Sequence, residues 1–130
     1  MLRRALLLSA ALALAGAAGA APTEKKKGGG DSYIQLPPLT ATILRADRSY
    51  GVITVDVGID VPDPTLRKRA EVSVPLLSDA FLREFLIYVP SIAPGGPPNP
   101  DQMAAQLQRA ADRTLGHPGS HVLIGSILTN

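Results

Sequence analysis

Residues 50–61, YGVITVDVGIDV, decide the fold of this 130-residue chain, because polar and apolar side chains alternate along the whole stretch. A period of two with β-branched apolar residues is typical of a strand that has one buried face. The positions expected to be buried are every second residue: Ile53, Val55, Val57, Ile59 and Val61. The sequence therefore predicts one long strand here, with one face packed on a core.

The segments around this strand predict the rest of a sheet. Residues 39–44, LTATIL, are expected to pair with it antiparallel through the polar loop RADRS at residues 45–49. Pro37 and Pro38 have no amide hydrogen to donate, so the strand at residues 39–44 starts after these prolines or has a free edge there. Residues 121–128, HVLIGSIL, have the length and apolar character of a last strand in the same sheet.

The segment that begins near Pro75 is predicted to be a largely buried helix, since proline is favoured in the first turn. Its large apolar residues recur at spacings of four, four and three, which is the period of one helix face. They are Leu77, Phe81, Phe85 and Tyr88. Leu82 and Leu86 are expected to widen this buried stripe.

A second helix is predicted by signals at both of its ends. Asn99 is a natural N-cap, Pro100 fits the first helical position, and Gln102 completes a capping box. Gly116 ends the helix. The residues expected to face the core are Met103, Leu107, Ala110, Ala111 and Leu115.

The order of these elements predicts an α+β fold, in which two helices pack on a mainly antiparallel sheet. Residues 70–74 are expected to form a short strand or to extend into the helix that follows. The Pro/Gly-rich residues 90–100 are expected to be a loop between the two helices.

Residues 1–21, MLRRALLLSAALALAGAAGAA, have the order of a bacterial export signal. A basic pair precedes an uncharged Leu/Ala-rich run, and small residues of the kind that a signal peptidase recognises follow it. Cleavage after Ala20 or Ala21 fits this pattern. An uncleaved membrane anchor is the alternative, because the 17 uncharged residues 5–21 reach the lower length limit of a spanning helix. The arginine pair also leaves the twin-arginine export route open.

Residues 22–32, PTEKKKGGGDS, are predicted to be a flexible linker that precedes a single domain over residues 33–130. Removal of residues 1–21 leaves eleven basic and eleven acidic residues. The basic pI of the chain therefore comes from the signal and predicts no nucleic-acid partner. The chain has no cysteine, so the domain must fold without disulfides.

The residue types that carry chemistry are few and form no recognised motif. His117 and His121 have the spacing of a helical metal pair, but a proline and a glycine lie between them and break any helix. Ser78 and Asp79 lack the nucleophile elbow that would place them in a hydrolytic triad with a histidine. Residues 67–69, RKR, are expected to be solvated. We therefore expect no catalytic residue, no metal site and no bound cofactor, and hence no enzymatic activity.

Several segments together resemble the FliL-type flagellar basal-body-associated proteins. They are the apolar N-terminal segment, the linker EKKKGGG, the segment YIQLPPLTATIL, the strand VITVDVGIDV, the helices VPLLSDAFLREFL and QMAAQLQRAADRTLG, and the last strand VLIGSILTN. The resemblance implies a periplasmic domain with a stomatin-like fold, in a protein that assembles around the flagellar stator and modulates torque or motor stability. It carries over no functional residue.

Two functions are predicted. The first is a non-enzymatic, FliL-like protein of the cell envelope, which binds an envelope or membrane protein such as the flagellar stator and can form a homo-oligomer. It is expected in the periplasm, or anchored in the inner membrane and facing the periplasm if residues 5–21 are uncleaved. Its contacts are expected at the sheet edges and at loops over residues 62–69 and 90–100. The alternative is a stand-alone soluble periplasmic module with a small apolar ligand pocket between helices and sheet.

Overall fold

A computed structural model describes residues 30–130 of the chain. The predicted signal and most of the predicted linker lie outside the described residues. In chain order the elements are β1 (Tyr33–Gln35), β2 (Leu39–Leu44), β3 (Tyr50–Asp60), α1 (Pro64–Val72), α2 (Val74–Tyr88), a single 3₁₀ turn (Val89–Ser91), α3 (Pro100–Leu115) and β4 (His121–Thr129). The predicted α+β class is confirmed.

β3 is the central strand of one antiparallel sheet. β4 pairs along both halves of β3, while β1 and β2 lie end to end along its other edge. The predicted hairpin between β2 and β3 is confirmed, with Leu44 opposite Tyr50, and so is the last strand. The resemblance treats residues 33–44 as one entry strand, whereas the structure divides them into β1 and β2. β1 is only three residues long because Pro37 and Pro38 interrupt the ladder after it.

The core lies between one face of the sheet and the three helices. The alternation predicted for β3 is confirmed, since Ile53, Val55, Val57, Ile59 and Val61 are at most 1% exposed. The predicted stripe of α2 and the predicted inward residues of α3 are buried against them. A layer of helices on one side of the sheet follows from this pattern, because β3 has only one apolar face.

Helix α1 occupies residues 64–72, so the loop expected over residues 62–69 is wrong; of the two alternatives for residues 70–74, the structure shows helix and not a short strand. Asp63 caps this helix, since its carboxylate accepts a hydrogen bond of 2.8 Å from the Leu66 amide, and Pro64 lies in the first turn. Leu66 and Ala70, one turn apart, are buried. α2 begins at Val74, directly after the Ser73 amide closes α1.

The N-terminus of α3 is held by α2 as well as by its own cap. The Asn99 side chain accepts a hydrogen bond of 3.1 Å from the Gln102 amide, which confirms Asn99 as the N-cap. The Asn99 amide donates not to Gln102 but to the hydroxyl of Tyr88, at 2.6 Å. The predicted reciprocal capping box is therefore only half formed, because a tyrosine at the end of α2 replaces the glutamine as acceptor. At the other end, Gly116 has φ 70° and stops the helix.

Candidate functional site

The residues considered for catalysis or metal binding lie in separate places. His117 lies in the exposed turn after α3, and His121 opens β4 opposite Asp60. Asp79 lies on the exposed side of α2, where its carboxylate is 3.0 Å from Nε of Arg83. Within residues 30–130, no three His, Cys, Asp or Glu side chains are grouped closely enough to hold a metal ion.

A small cavity of about 180 Å³ lies between α1 and the turn after α3. Asp63, Arg69 and His117 contribute its polar lining. Arg69 donates a hydrogen bond of 2.9 Å to the carbonyl of Leu115, at the C-terminus of α3, where a cation also complements the helix dipole. Asp63 caps α1. Arg69 therefore holds α1 against α3, while Asp63 stabilises the start of α1.

The basic cluster of residues 67–69 lies on α1 and not in a loop. Arg67 donates to the carbonyls of Val61 and Pro62 at 2.9 and 3.1 Å, and so joins α1 to the end of β3. Two of the three cations in this cluster are thus engaged with main-chain carbonyls. Residues 62–69 are therefore not the loop surface that the sequence predicted.

The face of the sheet that points away from the helices is uncovered within residues 30–130. We call it the sheet outer face. Its polar members include Thr40, Thr42 and Thr54, and its apolar members include Tyr50 at 73% exposure, Leu128 at 64%, Val52 and Leu123. A two-layer fold buries only one side of its sheet, and grouped exposed apolar side chains are typical of interaction sites.

The aromatic ring of Tyr33 lies over Gly58 on this face. A Cβ atom on Gly58 would come within 2.3 Å of the Tyr33 ring and 2.7 Å of the Ile34 carbonyl oxygen, so only glycine fits there. The Tyr33 hydroxyl donates to the side chain of Gln35 at 3.1 Å. Partial burial raises the pKa of Tyr33 above its ordinary value of 10.0, and the Asp56 carboxylate adds to the rise.

The raised pKa of Tyr33 predicts a loss of stability in alkali. The folded state holds the phenol proton more tightly than the unfolded chain, so this contribution is complete below the ordinary pKa of 10.0 and is lost as the pH rises through the folded-state pKa. Tyr33→Phe cannot ionise. We expect the free energy of unfolding of the natural protein to fall relative to that of Tyr33→Phe across the pH range that begins near the ordinary pKa of 10.0 and extends above it. Denaturant titrations of both proteins across this range would measure it, and parallel curves would contradict it.

A second exposed apolar surface runs along α2 on the side away from the core. We call it the α2 outer face. Its members are Val72 from the end of α1, then Pro75, Leu76, Asp79, Leu82, Arg83, Leu86 and Ile87. Leu82 is 37% exposed and Leu86 50%, so the expectation that they widen the buried stripe was wrong. The sequence did contain a signal, since leucine and isoleucine occur all round this helix, and a helix that packs on one side only cannot bury them all.

Both outer edges of the sheet lack a strand partner within the described residues. At the β2 edge, the Gly95 amide donates to the Leu44 carbonyl at 3.0 Å, so the predicted Pro/Gly loop closes one end of that edge. Gly95 has φ 71° and lies against Ala46, which places the loop on the β2–β3 hairpin. A groove of about 400 Å³ lies beside it, lined mainly by Ile43, Leu44, Tyr50, Val89, Pro90, Ile92 and Pro94.

The sequence of the chain matches no protein-family model and no curated protein. Over residues 30–130, none of the helices combines the length and the apolar character that crossing a bilayer requires. The function must therefore be inferred from the surfaces of the chain itself.

Proposed function

We propose that the chain is a non-enzymatic, exported protein of the bacterial cell envelope, which scaffolds or modulates a membrane complex in the manner of FliL at the flagellar stator. The observation that carries the proposal is the uncovered sheet outer face, with Tyr50 and Leu128 both more than 60% exposed. An apolar surface of this kind, bordered by threonines, suits a protein partner. The export signal in the sequence and the resemblance to the FliL family support the envelope location and a stomatin-like fold.

Export is tested by the mass and location of the protein in its own cells. We expect an intact mass that lacks the first 20 or 21 residues, recovered from the periplasmic fraction, because a signal peptidase removes a segment of this composition. Mass spectrometry after cell fractionation gives both answers at once. A full-length mass in the membrane fraction would contradict cleavage and would make residues 5–21 an anchor. A full-length mass in the cytoplasm would contradict export.

The partner surface is tested by photo-cross-linking in living cells. A photoreactive amino acid replaces Leu128 on the sheet outer face, and a matched variant carries it at Arg109, an exposed position of α3. We expect a cross-linked envelope protein, identified by mass spectrometry, from position 128 but not from position 109. The identity of that protein decides whether the complex is the stator. No product at 128, or the same product at both positions, would contradict the proposal.

The groove beside the β2–β3 hairpin favours a second candidate function, that of a periplasmic ligand-binding module. Its volume of about 400 Å³ lies within the usual range of small-molecule sites, and its lining is mostly apolar. If an apolar metabolite binds in this groove, we expect it to raise the melting temperature of the protein in a thermal-shift panel. Replacement of Ile92 by tryptophan, which fills the groove, should abolish that shift. A panel without any shift would exclude this function for the compounds tested.

A further inference from the structure

The charges on the α2 outer face are placed symmetrically along the helix. Phe81 is the central residue of α2, which runs from Val74 to Tyr88. Asp79 lies two residues before this centre and Arg83 two residues after it. These are the two charged members of the α2 outer face; they are 58% and 76% exposed, and within one copy they form an i,i+4 ion pair of 3.0 Å.

Four of the apolar residues of this face follow the same symmetry, whereas the counterpart of Leu82 is the half-buried Ala80. Leu76 lies five residues before Phe81 and Leu86 five residues after it, and Pro75 and Ile87 lie six residues to either side. When two such helices lie antiparallel about a two-fold axis at the level of Phe81, each of these residues faces its counterpart. Leu76 then lies opposite Leu86 of the second copy, and Asp79 lies opposite Arg83 of the second copy.

We propose that the α2 outer face binds a second copy of this chain, as an antiparallel helix pair about that axis. A two-fold interface uses the same patch on both subunits, so the patch must be complementary to itself. The α2 outer face meets this requirement, because reversing its direction exchanges acid with base and leucine with leucine. A 15-residue helix offers a contact about 22 Å long, and helices pack at axis separations of about 8–10 Å.

A second copy explains this pattern better than other occupants do. A membrane surface favours a helix rich in lysine and arginine on its polar side, whereas this face carries one acid and one base. Asp79 and Arg83 pair within one helix, and in the antiparallel arrangement the two pairs lie side by side with opposite charges adjacent. The ion pair between Arg113 and Glu84, at 3.2 Å, lies where α3 borders α2 and provides a polar rim. The inference goes beyond the proposed function, since the sheet outer face lies on the opposite layer and stays free for another partner.

Charge reversal on this face tests the proposal. Asp79→Arg places like charges opposite each other twice in the pair, and we expect it to weaken self-association at least about tenfold. The double variant Asp79→Arg/Arg83→Asp restores the complementarity and should associate like the natural protein. Thr40→Arg adds the same side chain on the sheet outer face, on the other layer, and should leave association unchanged. Sedimentation velocity over a roughly hundredfold range of concentration measures all four proteins, purified in the form that the cells make.

The outcomes separate clearly. A natural protein that dimerises, a single variant that does not and a double variant that does would support the proposal. Unchanged circular dichroism and thermal unfolding of the single variant would exclude misfolding, since both side chains are exposed. A natural protein that stays monomeric up to about 100 μM would overturn the proposal and leave the face to another protein or to a membrane. A dimer that Asp79→Arg does not weaken would overturn it as well. Neither result would bear on the cross-links expected from Leu128.

Discussion

Replacement of Phe81 by alanine should lower the free energy of unfolding by about 3–5 kcal/mol, which is the usual loss for a large aromatic side chain in a closed core. Phe81 is 0% exposed and lies at the centre of α2, in the cluster that joins the helices to β3. The cavity left behind would be lined by residues of a sheet and of helices, which cannot collapse into it without shifting together. Equilibrium denaturation in urea measures the change.

The matched control for this prediction is the next residue in the same helix. Leu82 lies on the exposed side of α2 and is 37% exposed, so Leu82→Ala should lower the free energy of unfolding by less than about 1.5 kcal/mol. Both variants place alanine in the same helix, and phenylalanine and leucine differ in helix propensity by only a few tenths of a kcal/mol, so most of the difference between the two losses reports burial. Equal losses for Phe81→Ala and Leu82→Ala would contradict the assignment of the core face of α2.

Replacement of Gly58 by alanine should lower the free energy of unfolding by about 1–3 kcal/mol, although it adds only one methyl group. The added carbon would lie 2.1 Å from the Tyr33 hydroxyl oxygen and 2.7 Å from the Ile34 carbonyl oxygen. The Tyr33 side chain can move aside, but the Ile34 carbonyl belongs to the backbone of β1. The loss should therefore appear together with weaker pairing of β1, seen as faster amide exchange at Val61, whose N–H bonds to Ser32 beside β1.

Two further variants separate the two contacts of Gly58. In the background Tyr33→Ala, Gly58→Ala should lose less stability than it does in the natural chain, because one of the two clashes is absent. Gly125→Ala is the matched control, since Gly125 lies on the neighbouring strand and its nearest contact would be 3.2 Å from Asp56. We expect a smaller loss at Gly125 than at Gly58. A larger loss at Gly125 would contradict the close approach of β1 to β3.

The parts of the fold that sequence predicted well are those where a local pattern has only one solution. The alternation of Ile53 and its neighbours specifies a strand with one buried face, whatever the tertiary structure. Asn99 before Pro100 specifies the start of α3 for the same reason, because both residues act on the backbone next to them. The partner of the Asn99 amide, Tyr88, comes from another helix, and no local rule supplies it.

The failures have equally specific causes. Asp63 before Pro64 carries the same N-terminal signal as Asn99 before Pro100, but the sequence pattern over residues 62–69 is interpreted as a loop and not as the start of α1. The periodicity of α2 admits more than one apolar stripe, so it could not show that Leu82 and Leu86 would be exposed. Which stripe faces the sheet depends on the connection from α1, a tertiary fact. For that reason the sequence alone did not predict that the residues of the α2 outer face, with its two charges, would be exposed together.

The irregularity in β4 limits how this sheet can grow. Val55 pairs with Ile127 and Val57 with Ile124, so Gly125 and Ser126 together face Asp56. The amides and carbonyls of the two halves of β4 are out of phase at its free edge. A regular strand added there can therefore pair with only one half of β4 at a time. Cross-β fibrils need an unbroken ladder repeated from copy to copy. The one extra residue in β4 is thus a barrier to polymerisation through the open edge of this strand.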